Sequence, residues 1–445
     1  MGRSINEGPL PVDGAFYHRA SNRHYSLSNG VMARHQIDGE GRTVNELARA
    51  VTLSIGSGNH AVTYAHRTVQ GRLFELPVSW YAKLSGYAMS PGYDRADHLD
   101  FRREISEACL FCHSNGREPA AIGCERCHGA TAAHLAKPAR GNILKPQSIE
   151  VCLQCHLETS SSRFTDSLRR PGREAFSYRP GELLADYKLY FAAPNDDRFE
   201  INHAGYRLLE SRCFRESQGR MTCVTCHDPH TAAVKANSCQ QCHAKPHTQA
   251  DCTPCHLPKR VTSDAIHVAM TDHRIEREPR FVDPVREDHT PHTGALTGFY
   301  THVDPLSLER ANTRDPSVEA LQRFIAANPR DAGLWAALGN ALVRAGRAGE
   351  AVPALEKSLA LNPRDSSAKM FLAVAHAVQG DRQKAHTILK ETVAANPDHA
   401  MAWINLGITH EALGNPAAAR AAYDKAIVLQ PDSLEARRRQ IRVRR

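Results

Sequence analysis

The sequence predicts a mainly α protein in two parts, a loop-rich region organised by cysteine and histidine motifs followed by an α-solenoid. Three observations carry this expectation. Every cysteine lies between Cys109 and Cys255, aromatic residues make up only 6% of the chain, and the last third repeats with a 34-residue period. At 445 residues the chain exceeds one ordinary compact domain, and with 41% apolar residues it does not have a large conventional core throughout.

Spacing decides what the cysteines do. Twelve of the thirteen form Cys-x-x-Cys pairs, each followed at once by His. The six are Cys109/Cys112/His113, Cys124/Cys127/His128, Cys152/Cys155/His156, Cys223/Cys226/His227, Cys239/Cys242/His243 and Cys252/Cys255/His256. In a chain of this length and composition chance supplies roughly 0.02 such pentapeptides, and the motif is that of covalent haem c attachment. Two thiols three residues apart add across the two vinyl groups of one porphyrin, and the adjacent imidazole lies under the iron as proximal ligand. Zinc sites also use Cys-x-x-Cys pairs but do not require His after every second Cys. A disulfide within each pair would close a small strained ring. Cys213 has no partner motif and reads as a buried thiol. Six covalently attached haems follow, in a multihaem cytochrome c domain over residues 106–280, with residues 1–105 as an N-terminal segment packing on it.

Each iron has a sixth position. Nineteen histidines remain beyond the proximal six, against seven methionines, so mostly bis-His and low-potential haems are expected. His134 follows the second motif by a few residues and His230 sits in Cys-His-Asp-Pro-His, so each could reach a neighbouring haem. His60, His66, His267 and His273 are the next candidates, and His98, His203 and His247 weaker ones. His376, His386, His399 and His410 read as ordinary side chains. Motifs beginning at 109 and 124, and at 223, 239 and 252, leave no room for a domain between haems, so short helices should carry them, joined by Gly/Pro-containing loops. The stretch from Phe164 to Arg215 has its own aromatic content and reads as either a packing insertion or a partner surface.

The solenoid is read from periodicity. Asn328-Pro329, Asn362-Pro363, Asn396-Pro397 and Gln430-Pro431 are in phase, as are Gly346, Gly380 and Gly414, Ala351, Ala385 and Ala419, and Trp335 and Trp403. This is the tetratricopeptide pattern of paired antiparallel helices, over residues 317–445, with capping helices near Val318 to Ala327 and beyond Leu434. Its groove is expected to bind a protein segment. Residues 281–316, punctuated by Pro284, Pro291, Pro305 and Pro316, read as a linker or strap.

The formal charge of +8 implies no nucleic-acid partner, because six haems would add about −12 from propionates, offset by about +1 per ferric porphyrin. The arginines from Arg437 to Arg445 read as a solvated helix end. No run of 18 apolar residues predicts a transmembrane segment, and no apolar signal core opens the chain, although cytochrome c maturation places haem outside the cytoplasm.

The block from Ile55 to Arg103, with Gly56-Ser57-Gly58-Asn59-His60, Leu76-Pro77-Val78-Ser79-Trp80-Tyr81 and Pro91-Gly92-Tyr93-Asp94, resembles bacterial proteins that join a multihaem cytochrome of the nitrifier tetrahaem class to tetratricopeptide repeats. The six motifs, His134 after Cys-His-Gly, Met270-Thr271-Asp272-His273 and the repeats share the likeness. The resemblance implies a periplasmic location, and an N-terminally truncated chain that lacks an export signal and a seventh haem site. Two functions are then expected. The first is an electron carrier docked to a redox partner protein through the repeat groove. The second is a multihaem oxidoreductase acting on a small nitrogen or sulfur compound at one open-coordination haem. No Cys-x-x-Cys-Lys variant marks a catalytic haem and spare histidines abound, which favours the carrier.

Overall fold

The computed structural model describes residues 5–6, 13–56, 58–116, 121–139, 141, 143–145, 148–157, 167–192, 197, 199–231, 233–243, 252–265, 267–278, 295–299 and 303–444. His247 lies outside them. The chain divides into two compact units, Met1–Met32, Ala50–Arg67 and Arg72–Asn312 in the first, and Ala33–Arg49, Thr68–Gly71 and Thr313–Arg445 in the second.

The 1–105 segment corrects the mainly α expectation, because it is built of strands. A four-stranded sheet runs in the order β2 (Gly14–His18), β3 (Arg23–Ser28), β4 (Val31–Ile37), β5 (Thr43–Ala50). A seven-stranded sheet orders β1 (Ile5–Asn6), β6 (Leu53–Ile55), β7 (Ala61–Arg67), β8 (Leu73–Glu75) and β11 (Arg103–Glu104), with β9 (Val78–Tyr81) on β7 and β10 (Gly86–Met89) on β9. Period-two alternation is present, since β3 buries Arg23, Tyr25 and Leu27. Polar residues at inward positions, Arg23, Arg34 and Ser79 among them, disguise it as non-periodic sequence. Asn29 and Gly30 turn between β3 and β4 with φ of 50° and 74°, the left-handed pair a two-residue hairpin needs. Ile5, Leu53, Ala65 and Leu73 pack with Leu110, which ties the larger sheet to the first motif helix.

The motif region matches the expected short helices, with one exception. They are α1 (Glu107–His113), α2 (Glu125–His128), α3 (Ala132–Ala136), α4 (Glu150–His156), α5 (Ala204–Glu210), α6 (Arg212–Glu216), α7 (Cys223–Cys226) and α8 (Thr253–His256). The exception is the fifth motif, carried by a single 3-10 turn over Ser238–Gln241 that ends at Cys242. Two short ladders, β12 (Ser167–Arg169) with β13 (Lys188–Ala192) and β14 (Lys259–Val261) with β15 (Ala269–Thr271), lie among them. The aromatic stretch is a packing insertion. Tyr178, Leu184, Tyr187, Tyr190 and Tyr206 form one core with Phe111 of α1 and Leu153 and Leu157 around α4. Phe164 lies outside the described residues. Of the expected 281–316 linker, residues 281–294 and 300–302 are also outside them. The rest packs on this unit, because Leu296 and Ala311 bury against Leu168, Leu189 and Phe191, with Ala311 on α9 (Pro305–Asn312).

In the second unit eight helices follow the sequence period: α10 (Val318–Ala327), α11 (Ala332–Arg344), α12 (Ala348–Leu361), α13 (Ser366–Val378), α14 (Arg382–Ala395), α15 (Ala400–Ala412), α16 (Pro416–Leu429) and α17 (Leu434–Arg444). Both expected end helices, α10 and α17, are present. The repeat has a hydrogen-bond logic. Asp331, Asp365 and His399 cap successive first helices by accepting from Leu334, Ala368 and Ala402 N–H groups. Trp335 Nε1 donates to the Pro329 carbonyl at 2.9 Å, Trp403 to Pro397 at 2.8 Å, and in the same phase Arg437 Nε donates to Pro431 at 2.8 Å. Hairpin residues 33–49 belong to this unit. Buried Arg34 pairs with Asp432 at 3.5 Å, and Arg437 Nη2 donates to Asn45 Oδ1 at 2.8 Å. With Arg439 and Arg442 ion-paired to Glu411, the C-terminal arginines are largely engaged by their own unit. No helix among the described residues is long and apolar enough to cross a membrane.

Candidate functional site

Four of the Cys-x-x-Cys-His motifs close a single backbone turn in which the His N–H donates to the carbonyl of the first Cys. The distances are 2.9 Å for His128, His227 and His243 and 3.0 Å for His256. No disulfide joins any of the thirteen cysteines. Among the described residues no three Cys, His, Asp or Glu side chains converge on a point where a metal ion could be held by protein alone.

The motif thiols are not placed alike. Cys109, Cys124, Cys242 and Cys255 are exposed, whereas Cys112, Cys127, Cys152, Cys155, Cys223, Cys226, Cys239 and Cys252 are half-buried. Two of them, Cys112 and Cys242, differ most in their surroundings. Cys112 is on α1, but it packs against the core built on Phe111, Leu153 and Tyr187, because α1 turns Leu110 and Phe111 inward beside it. It is therefore a core side chain as well, and a thioether there would form at the margin of that core. Cys242 lies outside any α-helix and is exposed. Its N–H donates to the Cys239 carbonyl at 3.2 Å, and Asn237 enters the turn with a left-handed φ of 58°. The physical reason is the run Ser238-Cys239-Gln240-Gln241, which has no large apolar side chain to bury, so nothing extends the tight turn into a helix.

Two motif histidines lie near a second imidazole. His128 and His230 have ring centroids 6.0 Å apart with planes 6° from parallel, and His227 and His273 are 6.1 Å apart at 33°. One iron held trans by two imidazoles, each nitrogen about 2 Å from the metal, would put the ring centroids ~6.3 Å apart. The two pairs fit that span.

One imidazole of each pair, and that of His256, has its Nδ1 anchored on a backbone carbonyl. His128 Nδ1 donates to the Leu144 carbonyl at 2.7 Å, His256 Nδ1 to Glu276 at 2.7 Å, and His273 Nδ1 to Thr271 at 2.9 Å. A protonated, anchored Nδ1 fixes the tautomer that leaves Nε2 for a metal. Burial holds the imidazoles of His113, His156 and His273 below the ordinary histidine pKa, and so in the neutral, ligating form. Apolar side chains that a macrocycle would cover stand exposed nearby. Leu144 carries the carbonyl that receives His128, Val224 lies inside the fourth motif, and Val234 belongs to the bridge with His227. The residues present therefore fit a haem at each of these two pairs.

The third and fourth motifs adjoin, which their spacing does not require. The Cys152 thiol donates to Cys223, which raises the pKa of Cys152 and lowers that of Cys223. The third and fourth motifs are thus in contact although 71 residues separate those cysteines. α5 packs tightly on the third motif: a Cβ on Gly205 would lie 2.4 Å from Leu153 Cδ2 and 2.7 Å from the His156 carbonyl oxygen.

The remaining candidates are dispersed. His134 lies on α3, where its Nδ1 is buried with no hydrogen-bond partner among the described residues. His60 and His66 belong to the larger sheet region, and His66 Nδ1 donates to the Ala50 carbonyl at 2.8 Å. His267 packs edge-on against Tyr81 at 5.2 Å. His98 is buried among Arg23, Tyr25 and Asp100. His203, at the start of α5, is buried 3.7 Å from Glu200. Sequence reasoning missed the ionic network beside His273. In it Arg207 grips Asp272 through Nε at 2.8 Å and Nη2 at 2.7 Å, while Arg260 reaches the same carboxylate at 3.0 Å. Of its members Asp272 stood in the Met270-to-His273 segment and Arg207 in the Phe164-to-Arg215 stretch, which the sequence had singled out for other reasons.

The tetratricopeptide repeat family model matches residues 306–365, 336–385 and 372–433. The C-terminal region is a tetratricopeptide repeat array. Among solved structures the chain is similar to MamA, at 23% identity over 32% of this chain and 84% of that one, with a TM-score of 0.29. It is also similar to YrrB, described as a TPR protein with an unusual peptide-binding site, at 27% identity over 27% and 62%, with a TM-score of 0.26. The first TPR of Spaghetti, bound to an HSP90 peptide, is 21% identical over 26% and 91%, with a TM-score of 0.25. No curated protein matches the chain.

Proposed function

We propose that the protein is a periplasmic multihaem c-type cytochrome that carries electrons through closely spaced, mostly bis-His haems and docks a redox partner protein through its tetratricopeptide array. The observation that carries this reading is the opposition of His128 with His230 and of His227 with His273, at the span of two axial ligands of one iron. Haem, when bound, supplies a one-electron couple that needs no substrate bond to form or break. The chain's part is to anchor each porphyrin by two thioethers, supply its axial imidazoles, fix their tautomers through backbone carbonyls and hold successive motifs in contact. For the array, repeat stacking presents an extended concave surface suited to a protein segment.

The test is to express the chain behind a periplasmic export signal in a host with cytochrome c maturation, count covalent haem, and record low-temperature electron paramagnetic resonance with an optical redox titration. Six haems with low-spin signals at low potential are expected. Protein exported and folded without covalent haem overturns the reading. A high-spin ferric component that binds nitrite, hydroxylamine or cyanide moves the assignment to a multihaem oxidoreductase.

A further inference from the structure

The two facing imidazole pairs are held in different ways. His230 stands on a short turn, where Asp228 Oδ1 accepts from the His230 N–H at 2.9 Å and the side chain is largely exposed. His273 follows directly on the β14–β15 hairpin, and the residue before it, Asp272, is buried and held by four hydrogen bonds. Arg207 donates to it twice, Arg260 Nη1 reaches Oδ2 at 3.0 Å, and the backbone N–H of Arg274 donates to Oδ1 at 3.0 Å. The same two guanidinium groups close on a second carboxylate. Arg207 Nη1 lies 3.0 Å from Asp197 Oδ1 and Arg260 Nη2 3.2 Å from Asp197 Oδ2. Arg207 itself is 1% exposed.

A buried guanidinium with every donor nitrogen engaged is costly to bury for stability alone, since an apolar side chain of like volume usually serves as well. A bidentate fork does supply direction. Arg207 sits on α5, two residues after Gly205, and Gly205 is pressed against Leu153 and His156 of the third motif. One rigid turn of helix thus touches the third motif on one side and fixes the segment bearing His273, opposite the fourth motif, on the other.

We propose that Arg207 is a positioning residue for iron ligation. Through Asp272 it holds His273 as the distal ligand of the haem on Cys223 and Cys226, and through α5 it sets that haem's place relative to the haem on Cys152 and Cys155. The proposal rests on the cytochrome reading above. It does not make Arg207 a ligand or a redox group. The residue acts by removing the freedom of the Thr271-to-Arg274 segment.

The experiment compares wild type, Arg207→Gln and His273→Ala as full-length proteins matured in the periplasm, by covalent haem count, electron paramagnetic resonance and titration with added imidazole. Thioether attachment does not depend on the distal ligand, so both variants should keep the wild-type haem count. Both should gain a high-spin ferric signal equivalent to one haem, and imidazole should return it to low spin. Arg207→Lys, which keeps the charge and loses the fork, should give a smaller high-spin fraction, and it serves as the readout if Arg207→Gln does not fold. Arg207 variants that stay low-spin while His273→Ala turns high-spin overturn the brace. A His273→Ala protein that stays fully low-spin overturns His273 as the ligand. Wild type without covalent haem overturns the cytochrome reading itself.

Discussion

Adding one methyl group at Gly407 should destabilise the repeat array, against the helix-propensity trend. Gly407 lies inside α15, and a glycine-to-alanine change in a helix interior ordinarily gains about 1 kcal/mol. Here a Cβ would meet Tyr423 at 2.4 Å from Cε1, 2.7 Å from Cζ and 2.8 Å from Cδ1, where carbon atoms ordinarily rest about 3.5–4.0 Å apart. The ring has little freedom to yield, because Tyr423 is fully buried and its hydroxyl donates to Glu411. Overpacking of this kind costs ~1–3 kcal/mol, and a ring that must shift by more than about 1 Å sits at the upper end. The net expectation is a loss of ~1–2 kcal/mol, or about 3–6 °C in the melting temperature of a unit this size. The assay is thermal unfolding of the full chain followed by its helical circular dichroism, in a cycle with Tyr423→Ala. Without the ring, Gly407→Ala should turn from a loss into a gain of about 1 kcal/mol. A Gly407→Ala protein as stable as wild type, or an equal penalty in both backgrounds, would refute the packing argument. Two repeats earlier Gly339 meets Leu355 Cγ at 2.3 Å, so its alanine variant should lose stability in the same way, whereas the intervening position already carries Ala373.

Two further predictions concern charge and capping. Burial pushes the Glu75 carboxyl up to about 7, with Arg103 at 3.2 Å opposing the shift only in part. A folded pKa above the unfolded value of about 4.3 means that the folded state holds the extra proton. The contribution to stability is therefore complete below about pH 4 and is lost as pH rises through 7. Glu75→Gln should abolish that decline, ~3–4 kcal/mol at most, in urea titrations across this range. A slope unchanged in the variant would assign it to other groups. Asp365 accepts from the Ser367 and Ala368 N–H groups, both at 2.9 Å, so Asp365→Ala should cost about 1 kcal/mol in the same helical unfolding signal, and no measurable cost would show the cap to be redundant.

The repeats were legible because one rule recurs. Asn-Pro turns, left-handed glycines and cap residues stand 34 residues apart, and tertiary packing repeats with them, so local and global signals agree. The six Cys-x-x-Cys-His motifs were legible as motifs because their residues are contiguous. Their surroundings were not, since nothing local to Cys112 or Cys242 says that one adjoins a core and the other stands in solvent. The strands of residues 5–104 also escaped. They are short, and their inward positions admit Arg23, Arg34 and Ser79, whose hydrogen bonds to distant partners no local pattern announces. Asn29-Gly30, between two alternating segments, was the available hairpin signal. His230 could be picked out because it stands three residues from a motif. The approach of His273 to His227, 46 residues away in sequence, leaves no spacing signature.

The hairpin of residues 33–49 gives the second unit an unusual birth order. Asn45 and the Arg437 side chain that bonds it are 392 residues apart, so nearly the whole chain must be made before that contact can form. Loop closure over such a distance comes late, after the local helix pairs have assembled. The hairpin therefore waits through synthesis with its partner missing. The last step of folding is thus also the one that reports whether everything between has been completed.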